Sequence, residues 1–126
     1  MKSLVIPVVV FLLTIALESC GWNPKFTVEN NCLKACCGNS FVTVSINTKN
    51  PQEYYVIHLR LDANGSSRIC FNEIPESYIV NFNGINSNSH SIQFTEGQLI
   101  IIDNSGGDRE GIPKEYLFTN GQLVEK

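Results

Sequence analysis

Five cysteines are the densest chemistry in the chain. Cys32, Cys36 and Cys37 sit close together, and Cys70 lies well beyond them. Thiols at such spacing have two principal uses. In an oxidising compartment they form bridges, and small domains depend on that staple because their cores are modest. As thiolates they bind soft metals, here with His58 or His90 as further donors. The Cys-x3-Cys-Cys pattern lacks the paired Cys-x2–4-Cys spacings of structural zinc sites, so the sequence favours disulfides over a metal. Neighbouring cysteines rarely bridge each other. The expected arrangement is one short bridge from Cys32 to Cys36 or Cys37, with Cys70 taking the other.

The remaining reactive groups are scattered. His58 alternates with Tyr54, Val56 and Arg60, and His90 sits beside a turn among Asn and Ser. Neither lies near a Gly-x-Ser-x-Gly elbow, an Asp–His pair or another nucleophile signature. Asp103, Asp108 and Glu110 share the Gly-rich stretch 103–111, which opens like a calcium loop. Asp108 stands where that loop needs glycine, and Lys114 stands where it needs a bidentate glutamate. With no phosphate loop and no basic patch in view, the expectation is a protein without catalysis, cofactor or nucleic-acid partner.

The fifth cysteine has a different setting. Met1-Lys2-Ser3 is short and positive, and residues 4–17 form an uncharged apolar run. As a helix that run rises about 21 Å, short of a bilayer's hydrocarbon thickness of roughly 30 Å, so it is a signal-peptide core rather than a span. Leu17-Glu18-Ser19-Cys20-Gly21 then resembles the lipobox of bacterial lipoproteins, with Leu at −3, a small residue at −1 and the cysteine that begins the mature chain. The resemblance implies a diacylglycerol on the Cys20 thiol, cleavage before it, and an anchor in the membrane. Glu18 at −2 departs from the family's small or apolar preference. Gly21 at +2, where inner-membrane lipoproteins carry aspartate, implies transfer to the outer membrane of a Gram-negative host. The alternative is cleavage after Gly21, which leaves a soluble secreted chain. Either route removes Cys20 from the disulfide count and leaves an even four. Residues 1–19 are thus the expected signal peptide and 20–126 the exported domain.

The exported part must then position whatever binds. Removing the signal leaves the formal net charge at −3, because Lys2 and Glu18 leave together. Short alternating runs separated by Gly, Asn, Ser and Pro point to an all-β fold. Val42, Val44 and Ile46 share a face, as do Tyr55, Ile57, Leu59 and Leu61, and again Tyr78, Val80 and Phe82. Asn120-Gly121 is the strongest hairpin signal, because both central residues of a type I′ turn need positive φ. Glu96-Gly97, between runs at 91–95 and 98–103, is a second. Residues 83–89 read as a longer connection. About eight short, mainly antiparallel strands make one small disulfide-stapled β-sandwich.

Aromatic residues supply the binding candidates. Tyr54-Tyr55 places a ring on each face of one strand, so one faces solvent, and Trp22 stands near the new N-terminus. Together with Asp103, Asp108 and Glu110, Tyr54 and Tyr55 are the expected contacts for a protein partner. Two roles fit: an accessory binding protein of the cell envelope, or an inhibitor or immunity protein against a secreted toxin or hydrolase. In size, signal and strand pattern the chain is similar to type VI secretion immunity lipoproteins.

Overall fold

The computed structural model describes residues 25–105 and 113–126. Cys20, Trp22, Asp108 and Glu110 lie outside them. Ten strands follow in order: β1 (Phe26–Glu29), β2 (Cys32–Ala35), β3 (Thr43–Lys49), β4 (Glu53–Leu59), β5 (Arg68–Cys70), β6 (Tyr78–Phe82), β7 (Ile85–Ser87), β8 (Leu99–Ser105), β9 (Lys114–Thr119) and β10 (Gln122–Glu125). They form two sheets, one of order β1-β2-β5 and one of order β10-β9-β8-β3-β4-β6-β7, with every pairing antiparallel. The chain is an all-β sandwich.

Alternation decides which side chains fill the interior. Period two sends Val44, Ile46, Ile57, Tyr78, Val80, Ile100, Ile102 and Tyr116 from the large sheet to one side, all buried. Phe26, Leu33 and Ile69 of the small sheet meet them from the other. Phe41, Phe71, Ile74 and Ile92, from the connections, close the ends of the same core.

The run at 91–95 is not a strand. Its alternation is real but serves a closure: Ile92 is buried, and Phe94 meets Phe71 edge-on at 5.1 Å and Phe118 at 5.9 Å. Glu96-Gly97 therefore turns the chain without making a hairpin. Three short strands carry no periodic signal of their own. These are β2 among the cysteines, β5, and β7 directly after Asn83-Gly84, whose φ values of 50° and 89° are those of a tight hairpin turn. Asn120-Gly121 adopts positive φ at both positions and joins β9 to β10 as expected.

Polar side chains lock the layers. The Tyr78 hydroxyl donates to the Phe41 carbonyl at 2.6 Å and accepts from the Ser66 amide at 2.8 Å. Asn31, in the β1–β2 turn, donates to the Gly121 carbonyl and accepts from the Leu123 amide, which ties the small sheet to the β9–β10 hairpin. Gln98 is fully buried, donates to the Pro51 carbonyl and to Glu53 Oε1, and accepts from the Thr95 amide.

The disulfide expectation is corrected. Cys32 bridges Cys70, and Cys36 bridges Cys37. The reason is register: β2 and β5 run antiparallel with Cys32 opposite Cys70, Cα atoms 3.9 Å apart. Cys36 and Cys37 lie past the end of β2, in the turn, where neither reaches Cys32.

Candidate binding surfaces

Three strands do not cover seven. One row of the large sheet's inner face runs Lys114, Ile102, Ile46, Tyr55, Phe82, Ile85 across β9, β8, β3, β4, β6 and β7. Its middle is sealed, since Ile102 and Ile46 have no exposed surface. Its far end is not. Phe82 is 36% and Ile85 74% exposed, and the Tyr55 ring packs on Phe82 at 4.9 Å. Burial and the hydrogen bond from its hydroxyl to Glu53 raise the Tyr55 pKa to about 12.

Among the described strands β7 is also a sheet edge, paired only with β6. Edges are normally protected by Lys, Pro, bulges or charged side chains. This one has none of those residues: Ile85, Asn86 and Ser87 are uncharged, and no Asp, Glu, Lys or Arg occurs anywhere in residues 77–95. A recess of about 410 Å³ lies along the edge between Phe82, Asn83, Ile85, Asn86 and Ser87. On the outer face a groove of about 310 Å³ runs between Val56, His58, Ile79, Asn81 and Asn86. The edge thus has a hollow on each side, the arrangement an added strand needs for its alternating side chains.

At the other end of that row is a recess of about 550 Å³ around β1, walled by Phe26, Ala35, Cys36 and Cys37. Among the described residues, Lys25, Lys34 and Lys114 stand on it against one acid, Glu29. Lys114 donates to the Phe26 carbonyl at 3.0 Å and lies 5.2 Å from the centre of the Phe26 ring. Arg68 joins the group, because it pairs with Lys34 across β2 and β5. Sequence reading found no basic patch, since these four cations are spread over ninety positions and only the topology gathers them.

The expected contacts fare unevenly. Tyr54 is exposed on the outer face, opposite Asn47, and Tyr55 turns inward. Asp103 belongs to β8 rather than to a loop; it faces Ser45, and its Oδ1 is buried without a hydrogen-bond partner among the described residues. Tyr54 and Asp103 share a face without touching registers, since Tyr54 leads through Asn47 to Ile101. His58 is exposed, its Nδ1 2.8 Å from Thr43 Oγ1, and among the described residues no carboxylate is hydrogen-bonded to it. Among the described residues no group of three or more His, Cys, Asp or Glu is placed to hold a metal ion. The chain matches no protein-family model, and neither a curated protein nor a solved structure is significantly similar to it.

Proposed function

We propose that this chain is an exported, lipid-anchored, non-catalytic binding protein of the cell envelope, and that it holds a protein partner along β7. The observation that carries the binding half is the uncharged β6–β7 flank, with Phe82 and Ile85 exposed and a hollow on either side of the edge. An extended segment of the partner extends the large sheet there through main-chain hydrogen bonds, and its apolar side chains enter the hollows. The anchor half is supported by the lipobox-like Leu17-Glu18-Ser19-Cys20 and by the pairing of the other four cysteines, which leaves Cys20 outside both bridges.

Site-specific photo-crosslinking in the native host tests the edge. A crosslinker at Asn86 on β7 should capture one defined partner, and one at Gln122 on β10, the opposite edge, should not. Ile85→Asp should abolish the crosslink from Asn86 while leaving the denaturation midpoint unchanged. Equal capture at both edges, or capture indifferent to Ile85→Asp, contradicts the proposal.

A further inference from the structure

We infer that the lysine-rimmed recess beside β1 takes the phosphate headgroup of an anionic membrane lipid, so that the three-stranded sheet faces the membrane; this rests on the anchored reading of Cys20. Four of the chain's cations, Lys25, Lys34, Arg68 and Lys114, gather on and beside the small sheet in a protein whose formal net charge is −3. Among the described residues, Glu29 is the single acid lining the recess. A cluster of that sign, opposed to the whole, is the complement of an anionic surface.

The recess also suits the ligand's shape. Its walls are apolar at Phe26, Ala35 and the Cys36–Cys37 pair, and its rim is cationic. A lipid presents the same two chemistries, a charged phosphate next to glycerol and acyl carbon. Chain length brings the two together: Lys25 lies five positions after Cys20, a reach of at most about 18 Å when extended. An acylated Cys20 therefore holds the recess at headgroup level. The β7 edge stays accessible in this orientation. Five strand spacings separate β9, which carries Lys114, from β7, about 24 Å at the usual inter-strand distance.

The sheets and core described above all lie within residues 25–126, so the exported chain carrying Cys20→Ser tests headgroup binding without the acyl groups. It is sedimented with vesicles of phosphatidylcholine alone and of phosphatidylcholine with about one-third phosphatidylglycerol. Each cation near an anionic surface contributes about a fivefold change in partition. Lys34→Glu removes one and adds an opposing charge, so it should weaken binding to the anionic vesicles about 25-fold. Lys49→Glu, the same charge change on β3 of the large sheet, should alter binding less than about twofold. Equal losses in the two variants would show that net charge alone acts and would overturn the assignment. Equal binding to the two vesicle types would overturn it as well. Release from anionic vesicles by millimolar inorganic phosphate at constant ionic strength would assign the recess to the free ion instead. An acylated native protein in which Lys34→Glu changes nothing contradicts the headgroup site alone. An unacylated native protein whose lysine recess still selects anionic vesicles contradicts the anchor alone.

Discussion

Cys32 and Cys70 stand directly opposite each other across the β2–β5 ladder and are joined through their sulfurs, whereas Cys36 bridges its own neighbour. The two bridges therefore do different work. The first closes a separation of 38 residues and, in the chain-entropy description, stabilises the fold by about 4 kcal/mol. The second closes no loop, so this term is absent. Cys32→Ser with Cys70→Ser should lower the unfolding free energy by several kcal/mol in urea titration. Cys36→Ser with Cys37→Ser should change it by less than about 1 kcal/mol. Equal effects would contradict the pairing.

Tyr78→Phe isolates the second lock. The hydroxyl satisfies the Phe41 carbonyl and the Ser66 amide at once, and burial raises its pKa. Removing it leaves two backbone groups without that partner, so a loss of about 1–3 kcal/mol is expected with apolar packing intact. A neutral result by denaturant unfolding would mean that water replaces the hydroxyl.

Gly65→Ala tests the fit of the connection before β5. A Cβ there would stand 2.8 Å from Ser40 Cβ and 3.1 Å from the Phe41 carbonyl oxygen, and these are not flexible side-chain ends. The expected cost is about 1–3 kcal/mol. An unchanged melting temperature would show that the 40–41 segment gives way freely.

Alkaline pH should unfold the protein in a defined window. Burial, first, and then Glu53 hold the Tyr55 hydroxyl near pKa 12; burial, first, and then the Glu125 charge do the same for Tyr116. Both groups keep their protons longer in the fold than in the unfolded chain, whose tyrosines titrate near 10. Their contribution is therefore fully present below pH 10 and is lost as pH rises from 10 to 12. Tyr55→Phe should flatten the decline in stability over that window. A decline that begins well below pH 10 must come from other groups.

The sequence made the large sheet legible and the small one largely illegible, and the difference is physical. β3, β4, β6 and β8 are long enough for alternation to show, and their buried members match the period-two reading at Val44, Ile46, Ile57 and Val80. β2, β5 and β7 have three or four residues each, too few for periodicity, and β2 was hidden inside a cysteine cluster. Asn83-Gly84 was the available signal for β7, and it carries the same turn chemistry as Asn120-Gly121. Of the expected contacts, the exposure of Tyr54 followed from its neighbour's burial. The exposed Phe82–Ile85 end did not, because it depends on seven strands being faced by three. The cation cluster depends likewise on β1, β2, β5 and β9 meeting in space.

The most direct measurement is the intact mass of the protein from its native host, with and without reductant. A chain beginning at Cys20, heavier by a diacylglycerol-sized increment and gaining four hydrogens on reduction of its two bridges, is the predicted result. An unmodified chain beginning at Trp22 would contradict the membrane anchor and leave a freely secreted binding domain.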